Sequence, residues 1–267
     1  MEKKIFFSDL DGTLLNDKKE ITPRTRKALD EWLSRGNVLA LSSGRPLNSV
    51  LDVIRQHRLV HENLYAISYN GSLIYHCMTG NKITNKTLSL EQVAAISKIA
   101  RDEQVFCQAY DDDSILIPYE GEEILYYTKT VRLPYHILPE FPKGIQEPPC
   151  KLLCIDLSKS GKLETLANKL MQALPGELSC VCSTPVLLEI FSASSGKGNA
   201  VADLCHYLQV PIENTYAAGD EQNDISMLQA VTQSIAMQNG RDIVKACAKH
   251  VTTEDNNNDG LLPFFQP

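Results

Sequence analysis

Hydrophobic and polar positions follow two different periods along the first eighty residues. "KKIFFSD" reads as a short apolar strand that stops at Asp9. In "ITPRTRKALDEWLSRG", Ala28, Leu29, Trp32 and Leu33 fall on one helical face. Thr22 stands there as N-cap, Pro23 in the first turn and Gly36 beyond the end. "NVLALSS" is another continuous apolar strand, "PLNSVLDVIRQHRL" a second helix and "YAISYNG" a third strand. Uninterrupted apolar strands alternating with amphipathic helices predict a parallel sheet covered on both faces.

Between about residues 80 and 187 the texture changes. A helix, "SLEQVAAISKIARDEQ", opens with a capping-box pattern in Ser89 and Gln92. Short alternating strands follow, then the acidic turn "YDDDS" and a proline-rich connection. Strand "KLLCIDL", helix "GKLETLANKLMQAL" and strand "LSCVCST" come next. This pattern predicts a separate α+β module. The first texture returns at residue 188, where "LLEIF" reads as a strand leading back into alternating helices and strands. The expected organisation is a Rossmann-like α/β core, residues 1–82 and 188–267, interrupted by an inserted α+β domain, residues 83–187.

The 267 residues are 43% hydrophobic and 22% charged, enough for one large domain or two modest ones. A net charge of −7 without a long basic run argues against a nucleic-acid or anionic-membrane partner. The N-terminal apolar run is too short for a secretory h-region, and no window reaches the length of a transmembrane span. A soluble, cytoplasmic protein is expected, as a monomer or weak homodimer. Eight cysteines are an even number, but a chain of this size needs no disulfide framework. The spacings of Cys150, Cys154, Cys180 and Cys182 are not those of zinc knuckles, and these residues read as small core hydrophobes.

Four polar clusters each follow an apolar strand of the α/β part: "DLDGT" at 9–13, "SSGRP" at 42–46, "SSGKGN" at 194–199 and "GDEQND" at 219–224. In an open parallel sheet, ligands bind in the crevice at the carboxyl ends of the strands, so these clusters should converge. Asp9 and Asp11 alone could be turn chemistry, since Asp-Gly is a frequent turn signal and neither acid has an obvious basic neighbour in the local sequence. Together with Asp220 and Asp224 they form a group that cannot all ionise without a cation. Hard oxygen ligands favour Mg2+. Lys197, Ser43 and the backbone beside Gly44 suit a tetrahedral anion. Metal-assisted phosphoryl transfer uses all of these at once. A Walker A loop would need glycine where Phe191 stands, and a dinucleotide fingerprint would need glycine or alanine at Val201.

"DLDGTLL", "SSGRP", "SSGKG" and "GDEQNDISML" resemble the four ordered motifs of the haloacid dehalogenase (HAD) superfamily. The insert, preceded by "SYNGSLIY", resembles the large α/β (C2B-type) cap of its Cof-type (IIB) sugar-phosphatase branch. The resemblance implies Asp9 as the nucleophile that takes the phosphoryl group and Asp11 as general acid and then base. It implies Mg2+ held by the Asp9 carboxylate, the Asp11 carbonyl and Asp220, with Asp224 completing the metal set and orienting that shell, by ligation or through water. Ser43 matches the phosphate-binding hydroxyl and Lys197 the charge-balancing lysine. Gly44, Arg45, Asn70 and Asn223 would line the entrance, and Thr13 would brace the loop. The implied function is a Mg2+-dependent phosphatase of small phosphate monoesters, with sugar phosphates expected as substrates and an aspartyl-phosphate intermediate. A phosphomutase on the same scaffold and a non-catalytic sensor of phosphorylated metabolites are the alternatives; C–halogen cleavage needs neither Mg2+ nor a protonated leaving group.

Overall fold

The computed structural model describes residues 2–129 and 131–265. The chain begins β1 (Ile5–Ser8), α1 (Pro23–Ser34), β2 (Val38–Ser42), α2 (Leu47–Gln56), β3 (Leu64–Ser68), β4 (Leu73–His76) and β5 (Lys82–Asn85). It continues α3 (Leu90–Asp102), β6 (Phe106–Tyr110), β7 (Ile115–Ile117), α4 (Glu122–Tyr127), β8 (Tyr135–Ile137), β9 (Leu152–Ile155), α5 (Lys162–Ala173), β10 (Leu178–Thr184) and β11 (Leu187–Ser192). The last part is α6 (Lys197–Leu208), β12 (Thr215–Gly219), α7 (Ile225–Gln229), β13 (Gln233–Ala236), α8 (Asp242–Lys245), β14 (His250–Val251) and α9 (Leu262–Phe265). Two compact units result: Met1–Gly44, Val50–Thr84 and Gly196–Pro267 form one, and Arg45–Ser49 with Asn85–Ser195 the other.

The first unit is built on an eight-stranded sheet of order β14-β13-β12-β1-β2-β3-β4-β5. The pairs from β14 to β3 are parallel, as the unbroken apolar strands predict. β4 returns antiparallel to β3, an edge extension that the sequence pattern did not disclose. The caps lie where the chain chemistry puts them. The Thr22 side chain accepts from the Thr25 N–H, and Pro23 opens α1. β1 and β2 are fully buried, as is β12 apart from Tyr216, and they pack against Ala200, Val201 and Leu204 of α6 and Met227 of α7. The chain leaves β1 for β2 on one side and comes back to it through β12 on the other, so the end of β1 is a topological switch point.

The second unit carries a six-stranded sheet of order β10-β11-β9-β6-β7-β8. Its pairs are antiparallel except β7 with β8. Val93, Ile96 and Ala100 of α3 and Leu163, Leu166 and Leu170 of α5 cover one face, packing on Cys107, Ala109, Leu152, Cys154, Leu188 and Ile190. The Ser89–Gln92 capping box of α3 is present, both bonds made.

Two expectations need correction. "LLEIF" is not a strand of the α/β sheet: as β11 it pairs antiparallel with β9 and β10 in the second sheet. Its apolar run carries no direction, and antiparallel pairing after a tight turn at 185–186 decides where it belongs. Among the cysteines, Cys154 is buried and Cys180 packs on the same core, but Cys182 is exposed. Register shifts beside Cys182, between β10 and β11, and the local strand turns its side chain out. No helix among the described residues is long and apolar enough to cross a membrane.

Candidate active site

Parallel register sets the strand-end residues level with one another. Ser8 pairs with Leu41 of β2 and with Ala218 of β12, so Asp9 stands beside Ser42 on one side and Gly219 on the other. The Asp9 N–H continues the ladder to the Ala218 carbonyl at 3.0 Å, and the chain then turns away through Gly12 at φ +78°. Glycine is required there: a Cβ would lie 2.4 Å from Asp220 Oδ2. The turn therefore brings the first and fourth motifs into contact.

Lys197, the first residue of α6, is 1% exposed and donates to Asp9 Oδ1 at 2.6 Å and to Asp224 Oδ1 at 2.5 Å. Asp224 Oδ2 accepts the N–H groups of Asp220, at 3.0 Å, and Glu221, at 3.1 Å. Both Asp224 oxygens are thus engaged in holding the loop and the lysine. Thr13 Oγ1 donates to Asp220 Oδ1 at 2.7 Å, which makes Thr13 a brace. Asp9, Asp220 and Asp224 place one carboxylate oxygen each within 4.8 Å of one another, all three residues buried.

The electrostatics follow from crowding. Burial, against the pull of Lys197 and with the charges of Asp224 and Asp220, raises the Asp9 carboxyl well above the usual carboxylate range. Burial pushes Asp220 up to about 7, with Asp224 adding to it and the Thr13 hydrogen bond opposing. Burial works against the charge of Lys197, but Asp224 and Asp9 outweigh it and hold the ammonium above the ordinary lysine range. One lysine therefore does not neutralise three clustered carboxylates. Buried oxygen donors carrying this excess of negative charge suit a small hard cation.

Ser43 and Asn70 lie just beyond the ends of the neighbouring strands β2 and β3. Ser43 is buried at the end of β2; its N–H donates to Ile67 and its carbonyl accepts from Asn70 at 3.1 Å. Asn70 is buried at φ +55°, and its side-chain oxygen accepts from Asn223 Nδ2 at 3.3 Å. The next residue, Gly71 at φ +91°, lies so near the carbonyl of Gly196 that a Cβ would come within 2.3 Å. Ser43, Gly44, Asn70, Asn223 and Lys197 thus lie in the unit that holds the carboxylates. Arg45 is half-buried and groups with the other unit.

The family model of the haloacid dehalogenase-like hydrolases matches residues 6–265. The chain belongs to this family. Among relatives of this HAD hydrolase is the 5-amino-6-(5-phospho-D-ribitylamino)uracil phosphatase YwtE of Bacillus subtilis. It is 28% identical, over 96% of this chain and 95% of its own. Of solved structures, a haloacid dehalogenase-like hydrolase from Bacteroides thetaiotaomicron superposes with a TM-score of 0.89 at 27% identity, covering 99% and 98% of the two chains. A Thermotoga maritima protein does so with a TM-score of 0.85 at 30% identity, covering 98% and 96%. The α/β core with an inserted α+β cap is the fold of that family.

Two features of the hydrolase were not legible beforehand. Asp11 does have a basic neighbour: Lys19 Nζ donates to its Oδ1 at 2.7 Å, from a turn where Lys19 itself has φ +63°. Its carboxylate is partly exposed and stands outside the buried trio. Asn239 Nδ2 donates to the Gly12 carbonyl at 2.8 Å and fixes the loop after Asp9. An Asn-Gly pair at 239–240 signals only a turn, and nothing in its spacing points to residue 12.

Proposed function

We propose that this protein is a Mg2+-dependent phosphatase acting on small phosphate monoesters, sugar and polyol phosphates above all. The observation that carries the reading is the 2.6 Å contact of Lys197 with Asp9 inside a buried group of three carboxylates at strand ends. Lys197 favours the ionised form of Asp9 against burial and engages Oδ1, leaving Oδ2 to attack phosphorus and give an aspartyl phosphate. Ser43, with the backbone at Gly44, holds the phosphoryl oxygens, and Lys197 balances their charge. Asp11, on the solvent side of the loop, protonates the departing alkoxide and then takes the proton of the water that hydrolyses the intermediate. Arg45, Asn70 and Asn223 bind the ester beyond its phosphate. The carboxylate of Asp9, the carbonyl of Asp11 and Asp220 would hold Mg2+, with Asp224 orienting them, and the ion would supply charge neutralisation at the phosphoryl group.

Substrate choice is assigned to the inserted cap, since Asp9, Asp11, Ser43, Lys197, Asp220 and Asp224 all lie in the other unit. YwtE is named for a substrate that presents its phosphate on a ribityl chain, which supports a polyol phosphate here. A screen of phosphorylated metabolites for phosphate release, with Mg2+ and with excess chelator, tests the reading. Mg2+-dependent release from sugar or polyol phosphates is expected, with inhibition by the larger Ca2+. Full activity in chelator would remove the metal assignment. Isomerised sugar phosphate without free phosphate would make the protein a mutase.

A further inference from the structure

A cavity of about 400 Å3 lies within the first unit, at the other end of its sheet from the carboxylates. β1, β2 and β3 run parallel, so Asp9, Ser43 and Asn70 share one end of the sheet. His61 precedes β3, and Cys77 and Met78 follow β4, whose His76 pairs with Tyr65 near the start of β3. Both segments therefore stand at the opposite end, where they line the cavity with the last turns of α2. Its apolar lining is Leu51, Ile54, Leu59, Val60 and Met78. Val60 is 80% and Met78 55% exposed, the two highest values for large apolar side chains among the described residues. Apolar exposure gathered on one concave surface marks a binding site rather than scatter.

The polar lining supplies donors. Among the described residues no carboxylate lines the cavity. Arg55 is answered by Asp52, 2.5 Å away, whereas Arg58 has no acidic partner among the described residues. Its backbone is unusual too. The Arg58 N–H donates to the Arg55 carbonyl at 3.0 Å and the Leu59 N–H to the Ile54 carbonyl at 2.9 Å. These bonds close α2 in a Schellman turn and put Arg58 at φ +51°. Glycine is the usual residue there, because a Cβ is disfavoured in left-handed backbone. Arg26 donates to the carbonyls of His57 and Arg58 and fixes the turn. An arginine thus stands where glycine would serve the fold better, and its side chain lines the cavity. His61 Nδ1 accepts the Asn63 N–H at 3.0 Å, so the neutral ring carries its proton on Nε2. That proton has no acceptor among the described residues, and the half-buried Tyr75 hydroxyl has no partner among them. Burial pushes the Cys77 thiol up to about 12, so it adds no charge to the wall.

We propose that this cavity binds a small monocarboxylate with an apolar body. One guanidinium without a counter-ion calls for one negative charge, and its planar fork matches a carboxylate. Tyr75 and the Nε2–H of His61 supply further donors for the carboxylate oxygens. A phosphate dianion would need a second cation, and Arg55 is already paired. The five apolar side chains take the hydrocarbon. A volume of about 400 Å3 is near the lower end of small-ligand sites, about 300–1,000 Å3, which limits the body to a medium-length chain or a single ring. This site is separate from the phosphoryl chemistry and does not rest on the phosphatase reading.

The test is isothermal titration of the full-length protein with octanoate and 3-phenylpropionate. Acetate and 1-octanol probe the charge alone and the apolar body alone. One site per chain is expected for at least one of the two acids, with acetate and octanol about tenfold weaker or worse. Arg58→Gly should weaken binding of that acid by about tenfold, the size of one charge-assisted hydrogen bond. The same variant should keep a thermal midpoint at or above wild type, because glycine suits the left-handed position. Excess inorganic phosphate should leave the affinity unchanged. No saturable binding of either acid, equal binding of acetate or octanol, or wild-type affinity in Arg58→Gly overturns the proposal. Competition by phosphate would place the acid beside Lys197, and a lowered midpoint would make Arg58 a structural residue; either result overturns it as well.

Discussion

The ammonium of Lys197 lies 2.6 Å from Asp9 Oδ1, although 188 positions separate the two residues. The same nitrogen holds Asp224, so a single cation at the start of α6 joins three motifs. Lys197→Met should remove it without adding volume. Breaking a buried pair from one side costs about 3–5 kcal/mol, because the remaining charges stay buried. A drop in thermal midpoint should therefore accompany a loss of about 10²–10³ in kcat. Wild-type stability in the variant would show that the lysine is not holding the carboxylates.

The crowded carboxylates make stability depend on pH in an unusual direction. Asp220 titrates near 7 when folded, against 3.8 as its ordinary value, and Asp9 shifts the same way. A raised folded pKa means the native state binds the extra proton between those limits. This contribution is complete below about pH 4 and is lost as pH rises through about 7. A cation requires the deprotonated forms, so Mg2+ should raise the thermal midpoint of metal-free protein more at pH 8 than at pH 5. Equal stabilisation at both pH values would mean that these acids do not bind it.

Gly12→Ala probes the contact between the first and fourth motifs. Its Cβ would meet Asp220 Oδ2 at 2.4 Å, in a backbone conformation at φ +78° that alanine avoids. The cost should be about 1–3 kcal/mol. Displacement of Asp220 by even an ångström should lower kcat/KM by about a hundredfold. Activity within twofold of wild type would show that the loop relaxes freely.

Much of this site was legible because strand ends in a parallel sheet must converge: Asp9, Ser43 and Asp220 each follow an apolar run, and the sheet order does the rest. Local chemistry was legible too, in the Thr22 cap and the Ser89–Gln92 box. What escaped was set by partners distant in sequence. Lys151 precedes an apolar strand and gives no sign of Glu189, which register alone brings opposite. The brace from Asn239 to Gly12 and the placement of β11 depend in the same way on tertiary pairing. "YDDDS" reads as a solvated turn and its acids are exposed, yet Asn48 donates to the Asp112 carbonyl at 2.8 Å and Tyr110 beside it is buried.

Asp9 and Asp11 differ in environment, and variants should separate their roles. Asp9 is buried against Lys197, whereas Asp11 pairs with Lys19 at the surface of the loop. Asp9→Asn should abolish turnover and keep the fold, since an amide is a poor nucleophile of the same size. Asp11→Asn should fail in a way that depends on the leaving group. Nitrophenolate departs without a proton, so Asp9 can still be phosphorylated from nitrophenyl phosphate. The attacking water then lacks its base, and an aspartyl phosphate should accumulate as a burst of nitrophenolate. An alkoxide needs the proton, so a sugar phosphate should barely phosphorylate the same variant. A purely structural Asp11 would slow both substrates alike, because loop distortion does not distinguish leaving groups. Rapid-quench measurement of both substrates decides the matter, and equal losses without a trapped intermediate would leave Asp11 as a turn residue held by Lys19.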